Sequence, residues 1–129
     1  MADAYSSSRI DDLPSLWDGM CKLVRSGLGV TAFGVNVLDI GPDYVTTDHT
    51  ESESGQEELY VVLRGSATML VGPPGQEEHV ELAPGEVVAR VAPDARRLFQ
   101  TGSEGARLLI VGGTPGKPYE RQDWSSGGE

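Results

Sequence analysis

Few side chains in this chain are equipped for chemistry. Two histidines occur, His49 and His79, with a single cysteine, Cys21. An imidazole titrates close to neutral pH, so a positioned histidine can take up or release a proton. Residues Tyr44 to His49 read as a strand, and alternation puts Thr47 and His49 on one face with Asp48 on the other. Glu58 to Arg64 read as a second strand. There Glu58, Tyr60, Val62 and Arg64 share one face, while Leu59, Val61 and Leu63 share the opposite, apolar face. A carboxylate, a phenol and an imidazole on facing surfaces would make a proton-transfer or metal-binding group. His79 lies among Glu77, Glu78 and Glu81 after a Pro-Pro turn and reads as a surface residue. Cys21 falls on an apolar stripe and reads as a packed core thiol.

Other chemistries find no carrier. There is no P-loop, no Gly-rich dinucleotide fingerprint and no Cys/His pair spaced for zinc. The 20 acidic residues outnumber the 10 basic ones, giving a formal net charge of −10. Such a surface repels nucleic-acid phosphates and anionic lipid, so neither is expected as a partner. One cysteine permits no internal disulfide, and neither a secretory leader nor a membrane-length apolar run is recognisable. A cytoplasmic protein is expected.

At 129 residues the chain has the length of one domain. Residues 1–12 are polar and read as a flexible N-terminus. Asp11-Asp12-Leu13-Pro14 reads as a helix start, and Leu13, Leu16, Trp17, Met20, Leu23 and Val24 recur at helical spacing, which predicts a short helix ended by Gly27 or Gly29. From Val30 the period changes to that of strands, over 30–39, 44–49, 58–64, 66–71, 79–82, 86–91, 97–101 and 107–111, with Gly- and Pro-containing breaks between many of them. Many short strands joined by tight turns predict an all-β barrel or sandwich occupying 13–113. The acidic stretch 50–57, with Glu51, Glu53 and Glu57, reads as a solvated loop, or alternatively as a lid over the barrel mouth. Residues 114–129, with Trp124, form an irregular tail.

The run from Gly41 to Gly65 resembles the first motif of the cupin family, G-x5-H-x-H-x(3,4)-E-x6-G, in which the histidines and the glutamate bind a metal inside a small β-barrel. Thr47 stands at the first histidine position, His49 at the second, and Glu58 and Gly65 keep the six-residue gap. The segment Gly85 to Gly102 is similar to the second motif, but the chain holds no histidine there. Arg97 falls at that position, with Arg96 or Leu98 as the result of a one-residue shift. The resemblance implies a jelly-roll-like antiparallel double sheet preceded by the short helix, an inward-facing Glu58, and commonly a homodimer. The apolar outer face Leu59, Val61, Leu63 suits burial against another subunit.

Applied residue by residue, the resemblance leaves His49 and Glu58 as the candidate metal ligands. A threonine is a poor neutral ligand, and a guanidinium is always protonated and repels cations. No cofactor is therefore the first expectation, with a divalent Fe, Mn, Ni or Zn ion as the alternative. A buried Arg97 requires a carboxylate. Glu58 is the expected partner, the pair either closing the barrel or leaving Arg97 with donors for an anionic ligand group; otherwise Arg97 faces solvent. Thr47, His49, Glu58, Tyr60, Arg97 and Phe99 are the candidate ligand-binding residues. The first expected function is binding of a small molecule in the barrel. The alternative is an isomerase, cyclase or oxygenase acting on an organic acid or polyketide-like substrate, with His49 and Glu58 as catalytic groups. A structural dimer without ligand is a third possibility.

Overall fold

The computed structural model describes residues 4–120. Almost all of its regular structure is antiparallel sheet: β1 (Ser15–Leu16), β2 (Cys21–Leu23), β3 (Gly34–Ile40), β4 (Glu57–Val71), β5 (Glu78–Glu81), β6 (Val88–Val91) and β7 (Arg97–Gly113). The hydrogen-bonded order is β1-β2-β3-β7-β4-β5, with β6 also on β4, and among the described residues no pairing joins the two ends into a closed barrel.

The architecture turns on the two long strands. The first half of β4 pairs with β6 and with the end of β7, whereas its second half pairs with β5 and with the start of β7. Ladder register slips between Gly65/Ala67 on β4, opposite an excursion of β7 between Thr101 and Ala106. Gly65 sits at φ +81°, where a Cβ would lie 2.1 Å from the Gly105 carbonyl oxygen. Gly105 is also left-handed, and a Cβ there would lie 2.5 Å from the carbonyl oxygen of Ile40. Only glycine fits this close backbone crossing. The strand pairs expected over 58–64 with 66–71, and 97–101 with 107–111, are therefore two continuous strands, each interrupted at this crossing. Tyr60 and Val62 from one half pack with Met69 and Phe99 from the other in a single buried cluster, so the two halves face each other across the core.

The N-terminal helix is shorter and later than its apolar spacing suggests. Residues 13–23 form a small hairpin, and the helix α1 spans Val24–Leu28 only, ending on Gly29 at φ 77°. Trp17, Asp18 and Gly19 all have positive φ, which makes a turn where the helix would have run. Cys21 and Leu23 are buried and pair with Leu38 and Asn36 of β3. Extension of the sheet thus outweighs a helical period in which Trp17, 56% exposed, contributes little burial. Arg107 on β7 clamps this region, donating to both carboxylate oxygens of Asp39 at 2.7 and 3.0 Å and also to Asp11.

Residues 44–49 run antiparallel beside β7 without becoming a regular strand. The Thr46 hydroxyl accepts from the Phe99 amide at 2.9 Å, and the Thr101 hydroxyl accepts from the Tyr44 amide at 2.9 Å. Side-chain oxygens here take places that backbone carbonyls hold in a ladder. Among the described residues no helix is long and apolar enough to cross a membrane. The tail expected over 114–129 is irregular as far as 120; its remainder, with Trp124, and residues 1–3 of the expected flexible N-terminus lie outside the described residues.

Candidate functional site

A cavity of about 680 Å³ opens between the facing halves. Its walls come from Trp17, Met20 and Cys21 of the N-terminal hairpin, the 44–51 segment, β3, the first half of β4, Phe99 and Ile110 of β7, and Tyr119. Of the residues expected to contact a ligand, Thr47, His49, Glu58, Tyr60 and Phe99 line it. The phenol of Tyr60 packs against Phe99 with ring centroids 4.8 Å apart at 57°, a tilted aromatic contact that fixes both rings.

Arg97 takes a different place. Its side chain is wholly buried, it does not line the cavity, and its donors are directed at the protein. Nη2 donates to Glu58 Oε1 at 2.9 Å and Nε donates to the Tyr60 hydroxyl at 3.1 Å. Nη1 donates to the carbonyls of Ala95 at 2.7 Å and Ala92 at 3.3 Å, in the turn that immediately precedes β7. The expected Glu58–Arg97 pair is thus present, and the solvent-facing alternative is not. Direct contact of Arg97 with a ligand is also not what the geometry offers, because Glu58 and Tyr60 stand between the guanidinium and the cavity. The one-residue ambiguity resolves by alternation: Arg96 points outward, donating to Asp48 at 2.6 Å and Glu77 at 3.0 Å.

These contacts set the charge states. Burial pushes the Glu58 carboxyl up, but His49, the Tyr60 hydroxyl and the Arg97 charge outweigh it and hold the group below the usual carboxylate range. Tyr60 is shifted strongly upward by burial and by the Glu58 charge, so its hydroxyl remains a donor to Glu58. All named partners of Glu58 act on Oε1.

One residue beside this group was not expected there. Eight residues separate His49 from Glu58, where the family motif allows three or four. The extra chain folds back: the Glu51 amide donates to the Pro93 carbonyl at 2.7 Å, and the Glu51 side chain turns inward with only 14% exposure. Its carboxylate lies 3.5 Å from His49 Nε2, which is 3.8 Å from Glu58 Oε1. Burial, then the charge of Glu58, raises the Glu51 carboxyl above its ordinary value. The solvated-loop reading therefore fails at Glu51 but fits exposed Glu53, while Glu57 begins β4 and pairs with Arg90 at 2.7 Å. The signal available was the excess length of the loop, not its composition.

His49, Glu51 and Glu58 offer ligand atoms within 4.8 Å of one another, the group among the described residues that could hold a metal ion. The family's metal centre itself does not fit these residues. A threonine and an arginine stand at two of its histidine positions, and the guanidinium already lies 2.9 Å from the glutamate oxygen. His79 is exposed on β5 and supplies no substitute. Cys21 is buried at 1% exposure, as a core thiol.

Among solved structures the chain is similar to a cupin protein from Bacteroides fragilis, with TM-score 0.68 and 19% identity over 98% of this chain and 97% of that one. It is similar to the cupin domain of an XRE-family transcriptional regulator from Enterobacter cloacae, with TM-score 0.58 and 21% identity over 74% and 95%. It also resembles a single-residue variant of oxalate decarboxylase from Bacillus subtilis, with TM-score 0.61 and 16% identity over 73% of this chain but 25% of that one. No family model and no curated protein matches the sequence. At these identities the likeness carries the fold, and enzymes and a regulator domain alike share it.

Proposed function

We propose that this small domain of the cupin fold binds a small organic molecule in the cavity between its two sheet halves, without a tightly held metal. The cavity carries the proposal: about 680 Å³ of space with aromatic walls and one polar end falls within the size range of small-molecule sites. Glu58 and Tyr60 are the fixed polar groups, held from behind by Arg97, while His49 and Glu51 complete the polar end from the loop. Thr47 and Phe99 supply contact surface. The degenerate motif supports the metal-free part, since a buried guanidinium occupies ground that a cation would need. A lone buried thiol at Cys21, outside any disulfide, suits a reducing cytoplasm.

One observation favours a second reading, an enzyme. His49 lies between two carboxylates at 3.5 and 3.8 Å, which is the arrangement of a positioned acid or base. In that case His49 would exchange the proton with substrate and Glu58 would orient the imidazole.

A thermal-shift screen of small amines, alcohols, acids and sugars tests the binding reading, alongside a Thr47→Trp variant that fills the cavity from its exposed edge. Compounds that stabilise the wild type and not the variant are the expected result. No stabilising compound, or stabilisation indifferent to the blocked cavity, contradicts the reading. Turnover of a stabilising compound, lost in His49→Gln, would select the enzyme.

A further inference from the structure

Glu58 and Tyr60 are tied to Arg97 and to each other. Two carboxamides in the same cavity wall, Gln56 and Asn36, are tied to nothing. Gln56 is only 6% exposed. Its backbone amide donates to the Ser54 hydroxyl at 3.3 Å, but its side-chain amide has no hydrogen-bond partner among the described residues. Asn36 resembles it: Oδ1 is buried without a donor, and its carboxamide likewise bonds to no described residue. A polar group removed from water without a partner costs stability, and a carboxamide carries two donors and an acceptor.

The sheet sets both amides on one face. Gln56 immediately precedes β4, so alternation places it on the side of Glu58 and Tyr60. Its Oε1 lies 3.0 Å, and Glu58 Cγ 3.3 Å, from where a Cβ on Gly112 would stand. The missing side chain at Gly112 therefore leaves the room that the Gln56 amide fills. Gly112 pairs with Gly34, and Ile110 with Asn36. Asn36 is thus the diagonal neighbour of Gly112, roughly 7–8 Å away on the same face. The last side-chain torsion of an asparagine is two-fold, so a half-turn presents either its N–H or its carbonyl to the cavity.

We infer that Gln56 and Asn36 are the specificity-determining residues of this cavity and that they select an uncharged ligand with an amide group, whose N–H and carbonyl satisfy both side chains. The inference rests on the binding reading above and names its ligand class. A charged head group has less to gain. Among the described residues no lysine or arginine lines the cavity, and Glu58 is already balanced by Arg97 at 2.9 Å. An acceptor-only group would leave the carbonyls of both side chains without a donor.

The test uses matched compounds that differ only in head group, a carboxamide, a methyl ketone, a carboxylate and an aminomethyl group on propyl, benzyl and indolylmethyl bodies, titrated near pH 7.5 into the full chain. The carboxamide should bind at least about tenfold more tightly than the ketone of the same body, which has its shape and its acceptor but no N–H. Gln56→Met and Asn36→Leu should each lower carboxamide affinity about tenfold and leave the ketone unchanged. Without ligand, both variants should melt no lower than the wild type, because neither amide bonds to the protein. A lower melting temperature would show the amides holding the fold and overturns the inference. Equal affinity for carboxamide and ketone, preference for a charged head group, or carboxamide binding indifferent to both substitutions also overturns it, while the cavity remains a binding site. If no compound of the sets binds, the inference falls, and the broader thermal-shift screen decides the binding reading separately.

Discussion

Arg97 illustrates how one residue type constrains its neighbours. A guanidinium cannot shed its proton, so its complete burial requires acceptors on every side, and it finds a carboxylate, a phenol and two carbonyls. That need made the Glu58 partnership legible in the sequence. Arg97→Met leaves Glu58 as a charge without its main partner, and we expect a loss of roughly 3–5 kcal/mol in denaturant unfolding. A loss of a few tenths would mean that the pair is not buried. Glu51 was not legible, because an acidic loop residue is ordinarily solvated and only tertiary folding of the long 50–57 segment turns it inward.

The raised Glu51 carboxyl has a thermodynamic consequence of definite sign. Its folded form binds a proton more tightly than the unfolded chain does, whose glutamates titrate near 4.5. The contribution is therefore favourable below about pH 4.5 and is lost as pH rises through the elevated folded value. At pH 7 the ionised group costs stability, so Glu51→Gln should raise the melting temperature there, and the gain should vanish in acid. A residue carried at such a cost fits a binding role. Glu58, with its lowered carboxyl, acts oppositely: its contribution is present above about pH 4.5 and lost as pH falls through its depressed folded value. A Glu51→Gln protein less stable than wild type at pH 7 would contradict this assignment.

Among the elements, the two long strands bring together residues that lie far apart in the chain. Their crossing at Gly65 and Gly105 puts Tyr60 against Phe99 and so shapes the cavity floor. Glycine punctuation in the sequence marked the crossing, although it suggested separate strands rather than continuous ones. Gly65 and Gly75 share φ +81°, but a Cβ meets backbone at 2.1 Å at the first and open space at the second. Both alanine substitutions carry the left-handed penalty of about 1–2 kcal/mol. Gly65→Ala should cost about 1–3 kcal/mol more from the clash, measured by urea unfolding of the two variants. Equal losses would show that the crossing can relax. The N-terminal hairpin was the least legible element. Its apolar residues satisfy a helical period, and only pairing with β3, which sets Cys21 opposite Leu38 and Leu23 opposite Asn36, reveals the strand.

For the molecule as a whole, 20 acidic against 10 basic residues leave an excess of negative charge, a sign that repels polyanions. The homodimer expected from the sequence has a candidate face in Leu59 and Leu63 on β4 and Val88 on β6, each at least 39% exposed. Light scattering should then return twice the 13.7 kDa chain mass, falling to the single value in Leu63→Glu; a monomeric wild type would remove the dimer from the account. Binding in the cavity between the sheet halves is tested most directly by backbone amide chemical shifts during titration with the compound that most stabilises the wild type in the thermal-shift screen. Occupation of the cavity should move the amides of Thr46 to Glu51, Phe99, Ile110 and Gly112 and leave those of His79 and Leu63 unmoved. Shifts centred on the outer β4 and β6 face, with the cavity amides silent, would contradict it.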